Sequence, residues 1–137
     1  MKPKFIDLYI DLAMRIAQMS YAERAKVGAL VVSDDAIISY GYNGMPRSWP
    51  NQCEVNGITR PEVLHAESNA ITKLARSGHG RNNMAMFCTH SPCLECAKLI
   101  YQSGIKSLYY KDTYRDTAGI EFLKACPDIT VMKHENK

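Results

Sequence analysis

The chain has 137 residues, which is enough for one domain with a sizeable core and leaves little room for a second domain. Hydrophobic residues make up 46% and charged residues 23%, the mix of a globular protein without low-complexity segments. The net charge of +3 is spread without a basic run, so no nucleic-acid partner is expected, although a small anionic substrate would suit it.

The cysteine count and the N-terminal stretch bear on localisation. Five cysteines is an odd number, and with no recognisable signal peptide this favours a reducing cytoplasm over a disulfide framework. The apolar stretch 5–19 is interrupted by Asp7, Asp11 and Arg15, so it cannot span a membrane. We therefore expect a cytoplasmic protein without a membrane partner.

The first elements in chain order are a helix and a hairpin. Apolar residues recur at three- and four-residue spacing between Phe5 and Met19, which predicts an amphipathic helix facing the core. The buried-strand run 27–33, the turn Asp34-Asp35 and the return 36–40 predict an antiparallel hairpin. Glycines and prolines then mark 41–63 as one long irregular loop, and loops of that length in a compact domain are usually functional.

In the C-terminal half, predicted helices alternate with predicted strands. The helices are expected at 65–76, 92–103 and 117–125, and the strands at 84–90, 107–111 and 129–132. Ser91 is expected to cap the middle helix, with Pro92 at its first position and Gly104 as its terminator. This alternation predicts three parallel strands joined by right-handed crossovers. Together with the hairpin they give a five-stranded mixed sheet with helices on both faces, in a single domain over residues 1–137.

Two short motifs carry the chemistry. His65-Ala66-Glu67 begins one predicted helix, and Pro92-Cys93-Leu94-Glu95-Cys96 begins the next. One histidine and two cysteines give Zn²⁺ three ligands and leave a fourth position open, as in catalytic sites. H-x-E followed by P-C-x-x-C is the signature of zinc deaminases, and the pairing of the two halves is far more specific than either half alone.

The spacing within each motif also predicts geometry. His65 and Glu67 are two residues apart and point about 200° away from each other on a helix, so both reach one metal only if the helix meets it end-on. Cys93 and Cys96 share a helix face, again in a first turn. Two helix N-termini should therefore converge on the zinc and stabilise its thiolates. Glu67 is placed as the general base and acid of a hydrolytic deamination.

Longer motifs point to one family. They are Gly41-Tyr42-Asn43-Gly44-Met45-Pro46-Arg47, the two zinc motifs with their flanks, Lys26-Val27-Gly28-Ala29, Cys53-Glu54, Gly104-Ile105-Lys106 and Tyr114-Arg115-Asp116. Over roughly residues 24 to 125, the chain resembles the deoxycytidylate (dCMP) deaminase family of the cytidine deaminase superfamily. The Gly-Tyr-Asn-Gly-x-Pro loop and the Tyr-Arg-Asp segment are the features that are specific to this family.

The resemblance implies a three-layer α/β/α cytidine deaminase-like fold and the hydrolysis of dCMP to dUMP and ammonia, which feeds dTMP synthesis. It also implies a homohexamer that is activated by dCTP and inhibited by dTTP, with Mg²⁺ accompanying these nucleotides. On the matching positions, Asn43 and Tyr114 would contact the substrate nucleotide, and Ala66 and Ser91 would line the base pocket.

A phosphate substrate needs a fixed cation, and arginine suits this role best through its forked donors. Arg115 is the first candidate, and three other basic residues compete for this role or for an allosteric phosphate. The regulatory triphosphate is expected beside the 41–47 loop, where glycines allow close approach of a ligand. The residues proposed for this allosteric site are Arg24, Lys26, Gly41, Tyr42, Gly44 and Arg47.

Several alternatives remain open from the sequence. The substrate could be another cytosine nucleotide or nucleoside, or a nucleic acid, although the latter would normally require a basic or aromatic strand-binding surface. A non-enzymatic zinc-stabilised interaction module is the remote alternative, and it would need a fourth protein ligand. Cys53 with His90 or His79 could form a second metal site, but a free Cys53 thiol is the preferred interpretation.

Overall fold

The computed structural model describes residues 1–80 and 82–135, which form four helices and seven strands. In chain order these are α1 (Pro3–Ala17), β1 (Gly28–Ser33), β2 (Ala36–Tyr42), β3 (Glu54–Val55), β4 (Ile58–Thr59), α2 (Ala66–Ser77), β5 (Met84–His90), α3 (Leu94–Gln102), β6 (Ile105–Asp112), α4 (Ala118–Ala125) and β7 (Thr130–Lys133). Within the described part of the chain, no helix is long and apolar enough to cross a membrane.

Five strands form one mixed sheet in the order β2-β1-β5-β6-β7. β1 pairs antiparallel with β2 and with β5, whereas β5, β6 and β7 pair in parallel. The β1–β2 turn places Asp34 and Asp35 at φ of 49° and 64°, the left-handed region that a two-residue hairpin requires. The predicted hairpin, the parallel strands and the five-stranded mixed sheet are therefore confirmed.

Successive strand residues point to opposite faces, so the sheet has two buried faces with different partners. On one face, Leu30, Val32 and Phe87 pack against α1 through Tyr9 and Ile10. The other face is covered by α2, α3 and α4, which contribute Ala70, Leu74, Ala97, Ile100, Ile120 and Leu123 to the larger core. The layers are thus helix, sheet and helices, which confirms the predicted three-layer α/β/α architecture.

The prediction of one irregular loop over 41–63 is wrong in part, because this segment contains a small hairpin. β3 and β4 pair antiparallel, with Glu54 opposite Thr59 and Val55 opposite Ile58. Their turn is Asn56-Gly57, at φ of 54° and 74°. Asn-Gly between two β-branched residues is a strong hairpin signal, but the surrounding glycines and prolines obscured it.

The predicted start of the middle helix is also wrong. α3 begins at Leu94 with Cys93 as its N-cap residue, so Ser91 does not cap it. Ser91 instead joins the end of β6 and the loop that follows. Its backbone N–H donates to the Asp112 carbonyl at 2.9 Å, and its hydroxyl oxygen accepts the N–H of Tyr114 at 2.6 Å. These tertiary hydrogen bonds hold Ser91 outside the helix.

Candidate active site

The three predicted metal ligands lie together at the ends of two helices. His65 Nδ1 is 3.4 Å from Cys93 Sγ and 3.4 Å from Cys96 Sγ, and all three ligand atoms lie within 4.8 Å of one another. A tetrahedral ion with Zn–S of about 2.3 Å and Zn–N of about 2.0 Å holds such atoms about 3.5 Å apart. The donor set and its spacing therefore fit Zn²⁺. Among the described residues, no fourth His, Cys, Asp or Glu joins this cluster.

Both helices approach the cluster end-on, as the motif spacing predicted. His65 is the N-cap residue of α2 and Cys93 is the N-cap residue of α3, while Cys96 lies in the first turn of α3. The free N–H groups and positive dipole ends of both helices favour negative charge on the sulfurs. Hydrogen bonds from Cys96 and His65 lower the pKa of the Cys93 thiol to about 4. The same hydrogen bond with Cys93, together with burial, raises the pKa of the Cys96 thiol, so these contacts favour a thiolate at Cys93 first.

Glu67 is the buried carboxylate beside this cluster. Glu67 is only 4% exposed to solvent. Its carboxylate is not one of the clustered atoms that could bind a metal ion together. Burial raises the pKa of Glu67 to about 7. A carboxyl group with a pKa near the working pH can both accept and deliver a proton, which suits a general acid–base residue.

Helix α4 packs against the backbone of the candidate ligand Cys93. A Cβ atom built on Gly119 would overlap the carbonyl oxygen of Pro92 and lie 2.8 Å from the carbonyl carbon and oxygen of Cys93. The absence of a side chain at Gly119 lets α4 pack directly on the backbone that precedes α3. This contact restricts the position of the N-terminus of α3 relative to α4.

A cleft of about 350 Å³ opens in front of the ligands and Glu67. This volume falls within the range of small-molecule sites. Every residue predicted to contact substrate lines this cleft, namely Asn43, Ala66, Ser91, Tyr114 and Arg115. Arg24, which was predicted for the allosteric site, lines it as well.

Asn43 makes backbone hydrogen bonds that shape the wall of the cleft. Its Oδ1 accepts the N–H of Val27 at 2.8 Å, and its Nδ2 donates to the carbonyl of Ala25 at 2.7 Å. Each amide atom retains one further hydrogen-bonding capacity that a ligand could use.

The remaining residues predicted for the allosteric site do not line the cleft: Lys26, Gly41, Tyr42, Gly44 and Arg47. Gly41 has a packing reason, because a Cβ there would lie 2.7 Å from the Ala66 carbonyl oxygen and the Ala70 nitrogen of α2. Gly44 is bridged to Leu64 by two backbone hydrogen bonds, and a Cβ on it would meet nothing within 4 Å.

Glu54, Thr59 and His90 also line the cleft. None of them was predicted from the sequence to contact the substrate. The Asn-Gly turn could have revealed the hairpin that carries Glu54 and Thr59, but only the tertiary structure places it here. Cys53 is buried and forms no disulfide bond with the described cysteines. It belongs to no group of three or more possible metal ligands within residues 1–80 and 82–135.

These features define a class of protein: a three-layer α/β/α domain in which three possible metal ligands, one histidine and two cysteines, lie beside a buried carboxylate. The family model for the cytidine and deoxycytidylate deaminase zinc-binding region matches residues 3–112. The chain therefore belongs to this family of zinc-binding deaminases.

Relatives with solved structures and curated sequences agree with this membership. The dCMP deaminase from the cyanophage S-TIM5, solved in complex with dCMP and dUMP, superposes with a TM-score of 0.93 and 43% identity, covering 98% of this chain and 99% of that one. The Homo sapiens deoxycytidylate deaminase is 34% identical over 143 residues, covering 88% of this chain and 79% of the human protein.

The Saccharomyces cerevisiae deoxycytidylate deaminase is 32% identical over 136 residues. That match covers 90% of this chain but 43% of the yeast protein, so the chain spans less than half of the length of this curated relative.

Proposed function

We propose that this protein catalyses the zinc-dependent hydrolytic deamination of dCMP, giving dUMP and ammonia. The observation that carries the proposal is the cleft itself, which is lined by two of the three candidate zinc ligands, His65 and Cys93, by the buried Glu67 and by two arginines. The near-complete superposition on a dCMP deaminase solved with dCMP and dUMP supports the substrate.

The proton transfers are assigned to Glu67. Zinc held by His65, Cys93 and Cys96 would supply a Lewis acid that acidifies a water molecule. Glu67 would take one proton from the attacking water and pass it to the ring nitrogen of cytosine. It would then take the second proton, from the hydroxyl group that the addition leaves on the ring carbon, and pass it to the amino group, which departs as ammonia. Its burial excludes solvent and keeps its pKa high enough for the donating steps.

The nucleotide contacts are assigned to residues around the same cleft. Ala66 and Ser91 flank the base, and the Ser91 hydroxyl proton remains available to the ligand because its oxygen accepts the Tyr114 N–H. Asn43 and Tyr114 contact the nucleotide. These roles follow the family resemblance, and the position of all four residues on one cleft supports them.

The 5′-phosphate is assigned to Arg24 and Arg115. Both line the cleft, and in the described part of the chain neither guanidinium forms an ion pair. An uncompensated arginine at a cleft is a suitable partner for a phosphate dianion. This is the feature that favours a nucleotide over a free nucleoside.

The test is a substrate panel with purified protein, followed by loss of the cytosine absorbance. We expect kcat/KM for dCMP to exceed that for deoxycytidine about 10- to 150-fold, because a charge-assisted contact contributes about 1.5–3 kcal/mol. Including dCTP in the panel separates a monophosphate site from a triphosphate site. Equal use of dCMP and deoxycytidine would contradict the assigned phosphate contacts.

We further infer, from the family resemblance alone, a homohexamer that is activated by dCTP and inhibited by dTTP with Mg²⁺. A cytoplasmic location is proposed from the odd number of cysteines. The regulatory nucleotide is assigned to Lys26, Gly41, Tyr42, Gly44 and Arg47. The exposure of Lys26 and Arg47 outside the catalytic cleft supports a separate site. Two nucleotides with opposite effects must prefer opposite states of the enzyme, since equal affinity for both states shifts nothing.

A further inference from the structure

One wall of the cleft is lined by Ala22, Arg24, Ala25 and Val27, which belong to a segment, 18–27, that forms neither helix nor strand. Backbone N–H groups in such a segment need partners from elsewhere. Side chains provide two of them here, because Asn43 Oδ1 accepts the N–H of Val27 at 2.8 Å and Ser20 Oγ accepts the N–H of Ala22 at 3.1 Å. The Ser20 hydroxyl in turn donates to the Asn43 carbonyl at 2.7 Å. The middle of the wall is held by Glu54.

Glu54 contacts this wall through one carboxylate oxygen. Its Oε2 accepts the backbone N–H of Glu23 at 3.0 Å and that of Arg24 at 3.2 Å. Thr59 lies directly opposite Glu54 in the β3–β4 hairpin, and its Oγ1 accepts a hydrogen bond from Arg24 Nη1 at 3.3 Å. A single cross-strand pair therefore holds both the backbone and the guanidinium of Arg24.

The Glu54 carboxylate and the Arg24 guanidinium lie close in the structure but do not pair with each other. The Glu54 carboxylate binds backbone N–H groups and makes no ion pair with the Arg24 side chain in the described structure. The Arg24 guanidinium is therefore not neutralised by an ion pair with any described residue, and four of its five N–H donors remain for a ligand after the bond to Thr59. A carboxylate would repel a phosphate directly, so Glu54 is suited to fixing Arg24 rather than to binding the anion itself.

We propose that Glu54 is a positioning residue that, together with Thr59, holds Arg24 against the 5′-phosphate of the substrate and thereby sets the preference for nucleotide over nucleoside. This inference rests on the proposed deamination of dCMP. It assigns the β3–β4 hairpin a specificity role in addition to its place in the cleft wall.

The experiment compares Glu54→Ala, Glu54→Gln, Arg24→Ala and the double variant Glu54→Ala/Arg24→Ala. Glu62→Ala is the matched control, because it also removes a carboxylate from this region. The Glu62 carboxylate pairs with Arg60 at 3.5 Å and not with residues 23–24. Kinetics are measured with dCMP and with deoxycytidine. Zinc content and the melting temperature confirm that each variant is folded.

We expect Glu54→Ala to raise KM for dCMP about tenfold with little change in kcat, the effect of losing one charge-assisted interaction. The dCMP-to-deoxycytidine ratio of kcat/KM should fall by the same factor. Glu54→Gln should recover most of the loss, because an amide oxygen still accepts both N–H groups. The double variant should have the same kcat/KM for dCMP as Arg24→Ala, because both substitutions remove the same interaction, that of Arg24 with the phosphate.

Hydrogen exchange gives a readout that does not depend on activity. The amides of Glu23 and Arg24 should exchange faster in Glu54→Ala and remain protected in Glu54→Gln and in the Glu62→Ala control. An unchanged substrate ratio in Glu54→Ala, or additive losses in the double variant, would overturn the inference and leave the deaminase function intact. A wild-type protein that does not deaminate dCMP would overturn the proposed function as well.

Discussion

Replacing Gly119 with alanine tests whether the packing of α4 positions the zinc ligand Cys93. The added Cβ overlaps the carbonyl oxygen of Pro92 and lies 2.8 Å from the carbonyl carbon and oxygen of Cys93. These atoms all belong to the backbone, so no side chain can rotate away and α4 or the start of α3 must move. The change therefore acts on the site without touching a ligand atom.

Its magnitude follows from two opposing terms. Overpacking a well-packed site costs about 1–3 kcal/mol. Alanine in place of glycine in a helix recovers up to about 1 kcal/mol of that. A net loss of about 1 kcal/mol would lower the melting temperature by about 2–5 °C in a domain of this size. The displacement of Cys93 should weaken zinc binding more visibly, by the ~10–100-fold that disturbed ligand supports usually cost.

Zinc affinity is measured by competition with a chromophoric chelator, and stability by thermal unfolding with and without added zinc. Gly44→Ala is the matched control, because a Cβ at Gly44 meets nothing within 4 Å. It should keep the wild-type zinc affinity and melting temperature. If Gly119→Ala binds zinc as tightly as the control does, the α4 contact does not position Cys93 and the reasoning is refuted.

Three further predictions concern metal, catalysis and regulation. Purified protein should contain about one zinc per chain by metal analysis, and Cys93→Ser should lose both the zinc and the activity; two zincs per chain would reveal a site that the cluster around His65 does not account for. Glu67→Gln should retain zinc and bind nucleotide while kcat falls at least ~10²–10⁴-fold, since one carboxyl serves several proton transfers; a near wild-type rate would assign those transfers to another group. Sigmoidal dCMP kinetics should become hyperbolic with dCTP and be suppressed by dTTP, and Arg47→Ala should weaken both responses; hyperbolic kinetics from a monomer that ignores both nucleotides would remove the regulatory assignment.

The sequence alone determined the features that depend on neighbouring residues. The Asp34-Asp35 turn between two apolar runs predicted the β1–β2 hairpin, because a two-residue turn and strand alternation are local properties. The spacing of His65, Cys93 and Cys96 predicted ligands at two helix N-termini. These directions follow from the helical period and do not require knowledge of the rest of the fold.

The tertiary structure decided which distant segments meet. Arg24 and Glu54 are 30 positions apart, and nothing in either local sequence indicates that a hairpin oxygen holds the Arg24 backbone in the cleft. Ser91 looked like a helix cap until β6 and its following loop supplied other partners for its N–H and hydroxyl. Likewise, Gly119 has a role only because α4 packs on the backbone of Cys93. Local periodicity fixes the direction of a side chain within its own element, but the packing of helices on a sheet determines which elements that side chain reaches.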